Sequence, residues 1–300
     1  MPVSKKPRKT VARSGASGGD NVLSTPSDFR GMESILAAVG GRHDADSIDA
    51  AQDIMYQAWE ERSRAKRIAL ARKALKLSPL CADAYVLLAE EDAKSVEEEL
   101  AYYQKGVEAG ELALGKEGFK EYVGHFWGFI DTRPYMRARA GLASVLWRTG
   151  RHRDAIGHYR AMLKLNPNDN QGIRYVLAGH LLELGDTVAL KKLIKKYVED
   201  GSAAWLYTQA LLAFQDKDAD ADQVAKDAWQ ANDHVPAVLA GTQPLVASRN
   251  GYITMGGEDE AAYYVEEYGD AWKAAPGAVE WLASVTKNMP RRKRGVRSRT

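Results

Sequence analysis

The sequence predicts an all-α protein built from successive helical hairpins, and three features of the chain predict it. A 34-residue stretch from Met136 to Asp169 holds two helix-spaced apolar stripes, separated by Gly150 and closed by Asn166-Pro167. A partial copy of its end lies 88 residues earlier, where ALKLSP (74–79) matches MLKLNP (162–167). Weaker versions of the same two-stripe pattern flank it on both sides.

Within the central stretch, Leu142, Val145 and Leu146 stand at i, i+3 and i+4, one face of an α-helix. Ala140 and Ala143 keep part of that surface small, so a second helix can come close. Gly150 follows where a helix end calls for a residue that tolerates positive φ. Ala155, Ile156, Tyr159, Met162 and Leu163 then form the stripe of a second helix. Asn166-Pro167 ends it, because proline cannot continue a helix and restricts the residue before it. Asp169 or Asn170 can cap the helix after that. Glycine at the internal turn, alanine early in the second helix and proline at the exit make a tetratricopeptide-like unit.

From the N-terminus, residues 1–44 are polar, basic and rich in Gly and Ser, which predicts a disordered arm with at most a transient helix over Met32–Val39. Order is expected from Asp46-Ser47, a good N-cap. Ile54, Met55, Ala58 and Trp59, then Ile68, Ala71 and Leu75, predict a hairpin that Pro79 ends. Tyr85, Leu88 and Ala89 followed by Leu100, Ala101 and Val107 predict the next. Residues 111–135 depart from the repeat as an aromatic, glycine-rich insertion; Phe119, Tyr122, Phe126, Trp127 and Phe129 are expected to pack it onto its neighbours. Beyond Pro167, Ile173, Val176 and Leu177 lead through Gly185 to Ala189, Leu193 and Ile194. Another hairpin starts at Ser202 with Trp205, Leu206, Leu211, Leu212 and Phe214, and returns with Val224, Ala228 and Trp229. A solenoid has to cover its last apolar face. Residues 235–285, a loop-like run followed by short helices at 258–273 and 278–284, are the expected C-terminal helical cap. The helical domain therefore spans 45–285, and 286–300 form a disordered basic tail.

Net charge of +2 hides a division. Residues 1–13 carry five Lys/Arg and residues 287–300 seven, neither with an acid, which leaves a body ten charges negative. No apolar run is long enough for a membrane helix, and the N-terminus lacks the apolar stretch of a secretory signal. A single cysteine, Cys81, excludes an internal disulfide framework and fits a reducing compartment. Its place beside Pro79 suits a small buried residue better than a reactive thiol.

GHFWG (124–128), TRPYMRARAGLA (132–143), LKLNPNDNQGIRY (164–175), PLCADAYVLLAEE (79–91) and DGSAAWLYTQALLAF (200–214) resemble the bacterial, soluble branch of the suppressor-of-tumorigenicity-seven family. The likeness covers roughly residues 46–285 and leaves out both basic tails. It implies a helical tetratricopeptide-like fold with no established enzymatic activity, and it brings no catalytic motif to transfer. The family's vertebrate members look membrane-attached, a property nothing in this sequence supports.

The residues that could carry function are few. Arg133, Arg137, Arg139, Arg148 and Arg174 form a basic set on an acidic body, suited to docking an acidic peptide or carboxylate. With Tyr175, His125 and Trp127 they make Arg133, Arg137, Arg174, Tyr175, His125 and Trp127 the candidate partner-binding residues; the plain alternative is surface arginines and core aromatics. Trp127, Tyr135, Trp147, Tyr175, Trp205 and Tyr207 could line a concave groove. On the flexible arms, Lys5, Lys6, Arg8 and Lys9, with Arg291, Arg292, Lys293 and Arg294, form compact cation clusters that would bind phosphate backbones without reading sequence. Asp216, Asp218, Asp220, Asp222 and Asp227 imitate the start of a calcium loop, but Ala221 stands where the sharp turn wants glycine and Asp227 where a bidentate glutamate belongs. The six histidines show no zinc-ligand spacing, and no phosphate loop, dinucleotide fingerprint or nucleophile elbow occurs. The expected function is a non-catalytic interaction scaffold binding an unknown protein or peptide on a concave helical face, without cofactor or membrane, in the cytoplasm (or the nucleus of a eukaryotic source). The alternative is a nucleic-acid-associated protein tethered by its basic arms.

Overall fold

Small residues on the inner stripes of neighbouring helices decide how closely those helices pack, and this chain places alanine and glycine there repeatedly. A computed structural model of the protein describes residues 45–248 and 252–290, which hold thirteen α-helices and no strand. The basic clusters at Lys5, Lys6, Arg8, Lys9 and at Arg291, Arg292, Lys293, Arg294 lie outside the described residues, as does the expected segment Met32–Val39. No helix among the described residues is long and apolar enough to cross a membrane. The described residues divide into two compact units, one running to Ile173 and the other from Arg174 onward.

The first unit contains α1 (Ala45–Glu60), α2 (Arg64–Leu77), α3 (Ala82–Glu91), α4 (Val96–Tyr122), α5 (Arg133–Arg148) and α6 (His152–Leu165). Consecutive helices pack as neighbours; α3 also packs on α5 and touches α1, so α1, α3 and α5 form one row. The core of the first three helices joins Ala51, Met55 and Ala58 to Ala71 and Ala74 and to Cys81, Ala84, Leu87 and Leu88. Burying each large aliphatic side chain there contributes roughly 1.5–3 kcal/mol relative to exposure.

Between α4 and α5 the approach is closest. A Cβ added to Gly110 would come within 2.9 Å of the Tyr135 Cβ, and one on Gly141 within 2.0 Å of the Tyr103 ring. The segment 111–135, expected to be a separate insertion, is helical for its first half as the end of α4. Gly115 breaks α4 with φ +58° and ψ −178°, a conformation favoured by glycine because it lacks Cβ. The remainder, residues 123–132, turns back and is pinned to the end of α6: the Gly124 amide donates to the Leu165 carbonyl at 2.8 Å. Phe126, fully buried, packs on Phe119 and Tyr135, as the sequence predicts for these aromatics. Gly150 closes α5 at φ +82°. Asp169, one of the two capping candidates, accepts the Ile173 amide at 2.8 Å.

The second unit contains α7 (Ile173–Glu183, from Arg174 onward), α8 (Thr187–Lys196), α9 (Ala203–Asp216), α10 (Ala221–Ala231), α11 (Val235–Leu239), α12 (Glu258–Ala274) and α13 (Ala278–Thr286). Helix α9 packs on α10 and α12, and α13 on α10 and α11. Ser202 opens α9 as the sequence predicts, its hydroxyl accepting the Trp205 amide. Trp205, Tyr207, Tyr264, Tyr268 and Trp272 form an aromatic core. Where a loop was expected after His234, α11 forms, because Pro236 in a first helical turn loses no hydrogen bond and has its φ preset. Buried Glu260 ties this region together. Its carboxylate accepts from the Ala203 amide at 2.9 Å, the Asn232 side chain at 3.0 Å and the Gly256 amide at 2.7 Å.

Candidate functional site

Asp83 sits in the first turn of α3, where a helix favours an anion. It lies four residues before buried Leu87 and so points inward, with no exposure at all. A buried carboxylate has to be paired. Arg137 of α5 supplies the pair, its Nε donating to Asp83 Oδ1 at 2.7 Å and its Nη2 to Oδ2. From the other side, Gln52 of α1 donates to Asp83 Oδ2 at 2.8 Å. One carboxylate therefore links α1, α3 and α5. The Arg137 guanidinium also lies over the ring of Trp59 on α1, 5.1 Å from its centroid. Trp59 remains 45% exposed, so this stacked pair opens onto the surface. Beneath it Cys81 is buried, and burial pushes its thiol up to about 12, which leaves it inert as a nucleophile.

One helical turn before Arg137, Arg133 heads α5. Its Nε donates to the Trp127 carbonyl at 3.0 Å, and its guanidinium lies 5.6 Å from the centre of the Trp127 ring. The turn that presents Trp127 is held by Thr132, whose hydroxyl donates to the Phe126 carbonyl, and by the Trp127 amide donating to Asn166 Oδ1. Arg133 has no carboxylate partner among the described residues. His125, a candidate partner-binding residue, is exposed, and its neighbour Phe126, one of the aromatics expected to pack, is buried. Phe129, at 45%, and Ile130, at 62%, are also exposed on this turn.

A second polar group lies deeper, between α4, α5 and α6. Tyr135 donates to Glu111 at 3.4 Å and accepts from Arg139, whose guanidinium also stacks on the same ring. Burial raises Glu111, with Arg139 pulling the other way. His158 is lowered to about 4, first by burial and then by the Arg139 cation. Arg139 Nε and His158 Nδ1 are both buried and lack a hydrogen-bond partner among the described residues.

Arg174 and Tyr175 belong to the second unit, and there both serve Asp200. Arg174 Nε donates to Asp200 Oδ2 at 2.6 Å, and the Tyr175 hydroxyl donates to the same oxygen at 2.8 Å. The guanidinium lies over the Tyr175 and Tyr197 rings, 4.3 and 5.4 Å from their centroids. Burial pulls Asp200 upward, but hydrogen bonds from Ser202, Arg174 and Tyr175 hold it below the usual aspartate value. Of the arginines singled out in the sequence, Arg137, Arg148 and Arg174 each spend their charge on a carboxylate: Asp83, Glu99 and Asp200. Tyr135, Trp147, Trp205 and Tyr207 are buried core residues, whereas Trp127 and Tyr175 are half-buried.

The acidic run around α10 is used locally. The Asp220 amide donates to Asp218, Gln223 to Asp227, and the Trp281 indole to Asp222 at 2.8 Å. Two residues escaped the sequence analysis. Asp83 reads as an ordinary first-turn acid unless its i, i+4 alignment with Leu87 is noticed, and Glu260 is one of three acids opening α12.

Comparison with known proteins adds a relationship that geometry alone does not supply. A family profile described as "ST7 protein" matches residues 42–293. Among curated proteins, a suppressor of tumorigenicity 7 protein-like from Gallus gallus is 29% identical over 263 residues, covering 80% of this chain and 47% of that protein. A protein ST7 homolog from Drosophila pseudoobscura pseudoobscura is 28% identical over 255 residues, 77% of this chain and 47% of that protein. A suppressor of tumorigenicity 7 protein from Macaca fascicularis is 28% identical over 285 residues, 80% of this chain and 53% of that protein. The chain thus spans about half the length of these relatives.

Proposed function

This chain belongs to the ST7 protein family, and from that premise we propose that it is a non-catalytic interaction scaffold that binds a peptide or partner protein along α1, α3 and α5. In this proposal the helices are tetratricopeptide-like hairpins stacked as a solenoid, the branch is the soluble bacterial one, and the compartment is the reducing cytoplasm. The observation that carries it is the row itself. Gln52, Asp83 and Arg137 hold three first-of-pair helices in register, and Trp59 and the Trp127–Arg133 pair lie at its surface. Rigid aromatic and arginine side chains are the residues that dominate binding when a surface is used. Arg133, with no carboxylate of its own among the described residues, is the group suited to meet a carboxylate on the partner.

A second proposal rests on the cation clusters at residues 5–9 and 291–294, through which the acidic body would be tethered to nucleic acid. Affinity capture of the tagged full chain, with and without nuclease, separates the two. A scaffold keeps the same captured proteins after nuclease treatment. A nucleic-acid tether loses them, and loses binding steeply as salt rises.

A further inference from the structure

Arg139, near the middle of α5, is a cation without a counter-ion. Arg137, Arg148 and Arg174 each grip a carboxylate, and Arg137 does so with the guanidinium edge formed by Nε and Nη2. On Arg139 only Nη1 is engaged, donating to the neutral Tyr135 hydroxyl. Its Nε–Nη2 edge meets no acceptor among the described residues, and its Nε is buried. Glu111 of α4 does not fill the gap: its carboxyl takes its bond from Tyr135, and burial raises it toward the neutral acid. A buried charge has to be paired; a water molecule would satisfy a hydrogen bond there but leave the charge. His158, on the neighbouring α6, also has a buried Nδ1 without a partner among the described residues, and the two nitrogens do not bond each other. Both side chains are only half-buried, so the cluster is not sealed from solvent.

We propose that Arg139 and His158 form a binding site for a compact carboxylate. The two oxygens of a carboxylate match the free Nε–Nη2 edge, as those of Asp83 match the same edge of Arg137. A protonated His158 donates from Nδ1 to the same anion. Besides burial, the charged groups acting on that imidazole are Arg139 from α5 and Asp154 and Arg151 from its own helix. Burial and the two arginines hold the proton off, and Asp154 favours it. An anion set between guanidinium and imidazole shifts that balance toward protonation. Occupancy and proton uptake at His158 are therefore linked, each strengthening the other. Two sources supply such a group: a small free carboxylic acid, or the side chain of an Asp or Glu in a partner. The site uses none of the side chains on which the scaffold proposal rests, so it does not depend on that proposal.

Histidine proton resonances of the full chain, followed against pH in sodium formate and in sodium chloride of equal ionic strength, test the site. His158 is identified as the signal missing from His158→Gln. In chloride its midpoint should lie at about 4. In saturating formate it should move upward by about one pH unit, a tenfold coupling. Arg139→Lys keeps the charge but loses the flat edge, so its midpoints in the two salts should coincide while its helical circular dichroism stays that of the parent. N-acetylglutamate methylamide, used in place of formate, separates the sources. A shift with both compounds identifies a site that takes a partner's side chain, and a shift with formate alone identifies one for a small free acid. A second measurement leaves the chain unaltered: the Nε–H signal of Arg139 should move with formate and not with chloride. The same His158 midpoint in formate and chloride, a formate shift that survives Arg139→Lys, or an Arg139 Nε–H signal that responds to neither salt or equally to both would overturn the proposal.

Discussion

Arg137 on α5 closes on the carboxylate of Asp83 on α3, 54 positions earlier in the chain, while Asp83 is wholly buried and also takes a bond from α1. Removing one partner of a buried pair strands a charge, a cost of about 3–5 kcal/mol, whereas replacing both with apolar residues can be neutral. Arg137→Ala should therefore lower the unfolding free energy by about that amount in urea titration. The double variant Asp83→Leu, Arg137→Met should recover most of it. A double variant as unstable as Arg137→Ala would mean that the charges themselves, rather than their pairing, hold the helices together.

Two helical glycines should respond to alanine in opposite directions. At Gly141 the new Cβ would overlap the Tyr103 ring, and overpacking of this kind costs about 1–3 kcal/mol. At Gly157, inside α6, nothing lies within 4 Å, so Gly157→Ala should stabilise by about 0.5–1 kcal/mol through the unfolded chain and helix propensity. Thermal melts of both variants check the α4–α5 approach: Tm should fall for Gly141→Ala and rise for Gly157→Ala.

His158 gives the first unit an acid sensitivity with a definite sign. Its folded value of about 4 lies below the ordinary 6.5, so the unfolded chain takes up a proton before the folded one does. The stability it contributes is fully present above pH 6.5 and is lost as pH falls from 6.5 toward 4. His158→Gln removes that titration. Between neutral and mildly acidic buffer, the urea midpoint of the variant should drop less than that of the parent chain. An equal drop would show that the folded chain protonates this histidine as readily as the unfolded one does.

Local signals made much of this fold legible. Gly150, Pro79, Asn166-Pro167 and Ser202 punctuate the chain, and the structure ends or begins helices at each of them, because backbone constraints act within a few residues. The second half of α4 was harder to see. Its glycines suggested a break, but only Gly115 breaks the helix, while Gly106 and Gly110 let α5 approach. The arginines were legible as a group but not by role. Arg137 and Arg174 look alike in sequence to Arg133, and only the long-range placement of Asp83 and Asp200 reveals which charges are already spent.

The scaffold proposal is tested most directly by titrating a captured partner against four full-length proteins: the parent, Trp59→Ala, Arg133→Ala and the exposed control Arg62→Ala. All four should show the same helical circular dichroism. Docking along α1, α3 and α5 predicts that Trp59→Ala and Arg133→Ala each weaken binding by about tenfold or more, the loss of a contact worth at least about 1.4 kcal/mol. Arg62→Ala should bind like the parent. Equal affinity for all four proteins, each still folded, would contradict the account and leave Trp59 and Trp127–Arg133 as packing alone.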